Sequence, residues 1–454
     1  MLSTIAAIST PLAASGLGVV RIAGEDAIAV GDAMFRPVGK ESLAELGGYR
    51  CAYGRVYDGD GDIDEAVATV FVSPHSYTGE DTVEFSCHGG PNVLRRVLRS
   101  ALSCGAKPAG PGEFTRRAFI NGKMTLTQAE AVMDIISSRS EQAGKAALNM
   151  KDGALYKKIT AVAGELTALQ SHFAAWADFP EEDVPELSPE QMRCVLSSSR
   201  SVLKKLIDGY DAGRIVREGA AAVIAGKPNV GKSTLMNLLT GCERSIVTEI
   251  AGTTRDIVEE SVLIGDIPVR LFDTAGLHET QDPVERIGVD MASDALERCD
   301  VVLAVFDTSL ELDDNDRALI ERISGRPSVA VLNKSDLPPV ADVKYIEERM
   351  PECVRLSATE GSGIDEFRAA LERVLRVADY DPTAPLMANE RQLDCARRGL
   401  AAVDDALSAI AAGMTLDAVS VCVESALDAL CELTGEKASD AVIDQVFSRF
   451  CVGK

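Results

Sequence analysis

The chain has 454 residues, 46% of them apolar, with a single Trp and a net charge of −24. That length predicts two to four domains, and the negative balance argues against a broad electrostatic grip on nucleic acid. Eleven cysteines occur without a C-x-x-C pair, which argues against structural zinc and a disulfide framework and for a reducing cytoplasm. No 18-residue uncharged apolar run occurs, and Met1-Leu2-Ser3-Thr4 lacks the basic segment of a secretory signal, so no membrane association is expected.

In chain order, Ile5–Ile8, Gly18–Ile22, Ala66–Val72 and Thr82–Cys87 read as strands, and Ala27–Met34 and Asn92–Ser103 as helices. Residues 1–120 therefore form a compact α+β domain. It carries 11 Lys+Arg against 14 Asp+Glu, which leaves most of the acidity to the rest of the chain. Arg95, Arg96 and Arg99, followed by Arg116 and Arg117, form a basic cluster that is the candidate for a local RNA contact there. Residues 121–216 are a helical segment, with Leu126, Ala129, Val132, Ile135 and Ile136 on one face. The acidic, proline-bounded stretch 178–185 interrupts it, and Ser188 with Pro189 restarts the helix.

Residues 217–378 read as a complete α/β domain. The apolar run Ala220–Ala225 reads as a buried strand, Gly226-Lys227-Pro228-Asn229-Val230-Gly231-Lys232-Ser233 fits G-x-x-x-x-G-K-[ST], and a helix follows over Thr234–Thr240. Backbone N–H groups of such a loop cradle phosphates, Lys232 reaches the terminal ones, and the Ser233 hydroxyl ligates Mg²⁺. The loop after the helix, Gly252-Thr253-Thr254-Arg255-Asp256, offers Thr254 as a second Mg²⁺ ligand. Strands Ile257–Ile264 and Ile267–Asp273 flank a hairpin turn at Gly265-Asp266. The second strand ends in Asp273-Thr274-Ala275-Gly276, where Asp273 would hold Mg²⁺ through water and the Gly276 amide would sense the γ-phosphate.

The nucleotide is decided further on. Val301–Phe306 and Ser328–Leu332 are buried strands, and the second leads into Asn333-Lys334-Ser335-Asp336. The Asp336 carboxylate accepts two hydrogen bonds from guanine, a donor pair that adenine does not present, so adenine leaves the charge unpaired. After strand Cys353–Leu356, the amides of Ser357-Ala358-Thr359 meet the guanine oxygen. GTP is the expected nucleotide. Many GTPases place a water-orienting Gln just after D-x-x-G; Leu277 stands here. His278, Glu279, Asp282 and Glu285 are the alternatives. Asn229 offers an amide oxygen to a monovalent cation beside the phosphates. A closing helix spans Ile364–Val377, Asp379-Tyr380-Asp381-Pro382 marks a linker, and residues 387–448 return to helix within a second helical block, 379–454. Two helical blocks around a complete α/β domain suggest a G domain inserted in one bundle.

Together GKPNVGKST, AGTTRD, DTAGLHETQDPVERIG, NKSD and the terminal Phe450-Cys451-Val452-Gly453-Lys454 resemble the MnmE/TrmE family of tRNA-modifying GTPases, over the whole chain. The resemblance implies a multidomain protein: a folate-binding-like, dimerising N-terminal α+β domain, an all-α bundle, and a Ras-like G domain inserted in it. It maps GTP contacts onto Asn229 to Thr234, Thr248, Glu249, Ile250, Ala251, Gly252, Thr253, Thr254, Asp273 to Gly276, Asn333, Lys334, Asp336 and Ser357 to Thr359. It implies K⁺ at Asn229, Thr248, Ile250 and Thr253, and Glu285 as the catalytic residue. A tetrahydrofolate derivative (5-formyl or methylene) maps onto Arg21, Glu80, Lys123 and Lys454, and Cys451 is implied in the modification chemistry. As a bare tail thiol, Cys451 reads instead as inert and frayed. One departure is plain: where the family carries a Gly-rich, Arg-containing loop, residues 11–18 read Pro-Leu-Ala-Ala-Ser-Gly-Leu-Gly.

The implied activity is K⁺-dependent GTP hydrolysis driving carbon-5 modification of the wobble uridine (position 34) of tRNA. Implied partners are a second copy, the flavin-dependent MnmG (GidA) protein and tRNA. The competing reading, an RNA-binding ribosome-assembly GTPase, requires a basic domain after the G domain, and residues 387–454 are acidic.

Overall fold

The computed structural model describes residues 3–39, 41–178, 188–242, 259–273, 299–378 and 380–454. The chain divides into two compact units, one comprising residues 1–133, 156–185 and 416–454 and the other residues 134–155 and 186–415.

The first unit is built on a seven-stranded sheet of β1 (Ile5–Ile8), β2 (Ser15–Ala23), β3 (Phe35–Pro37), β4 (Arg50–Asp58), β5 (Gly61–Phe71), β6 (Thr82–Gly89) and β7 (Lys107–Pro108), in the order β3-β4-β5-β6-β2-β1-β7. All pairs are antiparallel except β1 with β7. Strand alternation sends Val20, Ile22, Ala66, Ala68, Val70, Val83 and Phe85 into one core with Leu94 and Val97 of helix Pro91–Ser103 and with Ala27, Val30 and Met34 of helix Ala27–Met34. Residues 15–23 and 61–71 are longer strands than the periodicity predicts. Strand β4 was not legible as one: Gly54 interrupts it and Tyr53 stays exposed. Its pairing on both sides, to β3 and β5, supplies the order that its own pattern lacks.

Helix Ala154–Asp178 of this unit bonds helix Leu416–Thr434 through Gln170 Nε2 to Ser420 Oγ, 2.8 Å. Helix Asp440–Ser448 and the residues after it bury Phe447 and Phe450 against Leu126 and Ala129. The helical segment expected after residue 121 begins with three helices, Leu126–Ser137, Glu141–Lys151 and Ala154–Asp178.

In the second unit, β8 (Ala220–Ala225), β9 (Glu259–Ile264), β10 (Ile267–Asp273), β11 (Val301–Asp307), β12 (Ser328–Asn333) and β13 (Glu352–Arg355) form a six-stranded sheet in the order β13-β12-β11-β8-β10-β9. Only the β9–β10 hairpin is antiparallel. Strands β8, β11 and β12 are buried along their full length, which explains their unbroken apolar runs. Helices Lys232–Cys242 and Ile364–Val374 contribute Leu235, Leu239, Phe367 and Leu371 to the core on one face, and helix Asp314–Arg322 contributes Ile320 to that on the other. Asp314–Arg322 and the short helix Val343–Glu347 escaped periodicity because each buries few apolar side chains.

Ser188 caps helix Pro189–Asp208 as expected, in a reciprocal capping box with Gln191. Arg200 of this helix pairs with Asp404 of helix Glu390–Ala411 at 2.5 Å, so segments from before and after the α/β fold meet in this unit.

Candidate nucleotide site

The sheet order reverses around β8, which has β11 on one side and β10 on the other. In a doubly wound sheet the crevice beyond the strand C-termini at such a point is where ligands bind. The loop between β8 and helix Lys232–Cys242 lies there. Its backbone takes positive φ at Gly226 (153°), Asn229 (65°) and Gly231 (101°), which turns the chain tightly enough for its N–H groups to converge on an anion. Gly231 is forced twice over, because a Cβ there would also lie 2.2 Å from Asn333 Nδ2. Lys232 Nζ donates to the carbonyls of Gly226 (2.6 Å) and Lys227 (3.0 Å), which holds the ammonium over the loop. Asn229, Ser233 and Thr234 are exposed at this surface and Val230 is buried beneath them.

Asn333 at the end of β12 joins two segments far apart in sequence. Its Nδ2 donates to Val230 O (2.8 Å) and its Oδ1 accepts from Ala358 N (3.0 Å), while the residue is only 2% exposed. The phosphate loop, N-K-S-D and Ser357-Ala358-Thr359 are thereby tied to one side chain. Ser335 N also donates to Leu356 O. Asp336 and Thr359 are exposed beside this junction. Lys334 Nζ pairs at 2.5 Å with Asp307 at the end of β11. Burial pushes the Asp307 carboxyl up, but hydrogen bonds from Lys334 and Ser309 prevail and hold it below the usual carboxylate range. Asp307 is a site residue that the motifs did not flag; the one signal was its position at a strand end opposite Asn333.

Asp273 ends β10 in register with Ile224 of β8, so its backbone stands next to the loop's first residues. Thr248, Glu249, Ile250, Ala251, Gly252, Thr253, Thr254, Thr274, Ala275, Gly276, Leu277, His278, Glu279, Asp282 and Glu285 lie outside the described residues. Among the described residues no cluster of three or more His, Cys, Asp or Glu could hold a metal ion. The hard-oxygen Ser233 hydroxyl and the Asn229 amide are of the right chemistry for Mg²⁺ and a monovalent cation respectively.

A second constellation lies in the first unit. Arg21 on β2 pairs with Glu84 at 2.7 Å, and its guanidinium stacks 5.4 Å from the Tyr77 ring and 5.5 Å from that of Phe114. Glu80 Oε2 accepts from Arg117 Nη1 (3.0 Å), and Lys123 Nζ donates to Pro74 O (2.9 Å). The last residues are docked, not frayed. Gly112 N donates to Cys451 O, Phe114 N donates to Lys454 O, and Gly453, at φ 100°, packs so closely on Ile8 and Ser9 that a Cβ would clash. Cys451 is exposed. Arg21, Glu80, Lys123 and Lys454 therefore surround the 74–80 loop and the start of helix Glu113–Ile120.

The expected basic cluster is smaller than its sequence suggests. Arg117 is 2% exposed and also pairs with Glu113, Arg96 forks onto Asp58, and Arg116 pairs with Asp444. Arg95 and Arg99 remain exposed. Arg117 works inside the domain because three acceptors converge on it, Glu80, Glu113 and Ser3 O, which spacing could not reveal. No helix of the described residues is long and apolar enough to cross a membrane.

Comparison with known proteins bears on the family of the whole chain. Residues 126–451 match the model of the MnmE helical domain, and residues 4–123 match that of the GTP-binding protein TrmE N-terminus. A tRNA modification GTPase MnmE of Symbiobacterium thermophilum is 43% identical over 99% of both chains. Proteins of the same description from Geobacter sulfurreducens and Acetivibrio thermocellus are 40% and 37% identical, again over 99% of each. With its phosphate loop, N-K-S-D and S-A-T segments joined through Asn333, the chain belongs to the MnmE/TrmE family and is a tRNA-modifying GTPase, an enzyme that hydrolyses GTP.

Proposed function

We propose that GTP hydrolysis by this chain is K⁺-dependent and drives carbon-5 modification of uridine 34 in tRNA. The observation that carries the modification part of this reading is the docking of Cys451–Lys454 onto the N-terminal domain, beside the elements that bear Arg21, Glu80 and Lys123. A carboxylate at Glu80, a stacked guanidinium at Arg21 and the ammonium groups of Lys123 and Lys454 suit a pterin with N–H donors and an anionic glutamate tail. Bound tetrahydrofolate supplies the one-carbon unit. Cys451, exposed at this edge, serves the modification chemistry.

In the G domain, Ser233 and Thr254 bind Mg²⁺, with Asp273 acting through water. Asn229 binds K⁺ together with Thr248, Ile250 and Thr253, where the ion neutralises charge developing on the phosphates. Asp336 selects guanine, and Glu285 positions the attacking water through a second water, since Leu277 offers no polar group. The chain acts in the cytoplasm as a homodimer through its N-terminal domains, with the flavoprotein MnmG as partner. Its domains are the N-terminal 1–120, helical 121–216, G 217–378 and helical 379–454, the G domain being inserted in the bundle; the Arg200–Asp404 pair supports that insertion.

Mass spectrometry of tRNA nucleosides from a deletion strain tests the reading. Loss of the carbon-5 wobble modification is expected. Unchanged wobble uridines with a ribosomal-subunit defect would establish the assembly-factor alternative instead.

A further inference from the structure

The second residue of the phosphate loop is bound to a helix that no nucleotide-binding motif includes. Lys227, with a side chain 16% exposed, extends Nζ to Asp316 Oδ2 at 2.7 Å and to Asp313 Oδ2 at 3.1 Å. Asp313 caps helix Asp314–Arg322, accepting from the amides of Asn315 and Asp316, while Asp316 Oδ2 accepts from Asp313 N in return. The capping box therefore brings two carboxylates together, and the Asp316 side chain is only 3% exposed. Lys227 bonds both and offsets one of their two negative charges. A buried carboxylate deprived of its cation is strongly unfavourable, so the helix end and the loop hold each other in place.

The bridge bears on the nucleotide site through the main chain. The Lys227 carbonyl is one of the two that accept Lys232 Nζ, and the other belongs to Gly226. A Cβ at Gly226 would meet Val305 O at 2.5 Å, so that residue has little freedom to absorb a shift of its neighbour. Asn333 fixes the far half of the loop at Val230. Lys227 gives the near half a side-chain tether of its own.

We propose that Lys227 is a positioning residue for GTP, holding the near half of the phosphate loop through its ion pair with Asp316. It sets how well the loop receives phosphates and leaves the chemical step to other groups. The inference rests on the loop geometry and on GTP hydrolysis itself, and is independent of K⁺, folate or tRNA.

Binding of mant-GDP and steady-state GTP turnover by the full chain test it. K227M is expected to weaken mant-GDP binding by about tenfold, the scale of one charge-assisted hydrogen bond, with kcat at saturating GTP within about twofold of the parent. K227R should restore much of the affinity. In the D316L background K227M should add almost nothing, because the coupling has already been lost. Unchanged affinity, with or without a lower thermal midpoint, would reduce the bridge to a structural contact and overturn the proposal. So would a fall in kcat exceeding the fall in affinity, or additive effects in the double variant. Should K227M not fold, K227Q in the parent and D316L backgrounds gives the same cycle, with K227R as the variant that keeps the charge.

Discussion

Replacing Asn333 by Ala removes one side chain and leaves two buried main-chain groups without partners. Val230 O loses a 2.8 Å hydrogen bond and Ala358 N one of 3.0 Å, at residues 1% and 7% exposed. An unsatisfied buried group costs about 1–3 kcal/mol, so losing two should destabilise the G domain of N333A by about 2–6 kcal/mol. At roughly 2–4 °C per kcal/mol for a domain of this size, the midpoint of its calorimetric transition falls by about 4–24 °C. Hydrogen exchange reports the individual bonds. The Ala358 amide should lose protection in N333A yet retain it in N333D, because Asp still offers an acceptor there. Asp cannot donate to Val230 O, so N333D should remain destabilised. A transition within about 1 °C of the parent in N333A, or Ala358 protection equal in both variants, would refute Asn333 as the link between the two loops.

The Asp307–Lys334 pair predicts a pH dependence. The folded Asp307 carboxyl titrates below its ordinary value of 3.8, so its stabilisation is complete above that pH and disappears as pH falls through the folded value. D307N should flatten the acid limb of G-domain stability below about pH 4, read from thermal midpoints against pH. R117M strands Glu80, Glu113 and Ser3 O together, and should cost the N-terminal domain about 3 kcal/mol in chemical unfolding while mant-GDP binding stays unchanged. Replacing K⁺ by Na⁺ should slow GTP turnover at least tenfold, about 1.4 kcal/mol in the barrier; equal rates would remove Asn229 from a cation site. E285A should leave mant-GDP affinity intact and slow single-turnover hydrolysis, and an unaltered rate would return the water-orienting role to His278, Glu279 or Asp282.

Legibility followed how locally each feature is encoded. Strands Ile5–Ile8, Ala220–Ala225 and Ile267–Asp273 and helix Ala27–Met34 have the bounds their patterns predict, because an unbroken apolar run or a clean period reflects burial. Strand β4 and helix Asp314–Arg322 have weak patterns, since partners from elsewhere in the chain stabilise them. The basic cluster misled for a related reason. Five arginines in sequence carry no information about their acceptors, and Arg117 proved to be buried among three.

The amino-acid sequence alone determined the nucleotide class and family, because phosphate and guanine recognition depend on short contiguous motifs whose backbone geometry is set within a few residues. Only the tertiary structure decided what joins those motifs. Asn333 ties the phosphate loop to Ala358, Lys227 ties it to Asp316, and the last four residues close on the turn at 110–114. Each of those contacts spans tens to hundreds of residues. Its energy comes from satisfying buried polar groups, which depends on where the fold brings them together.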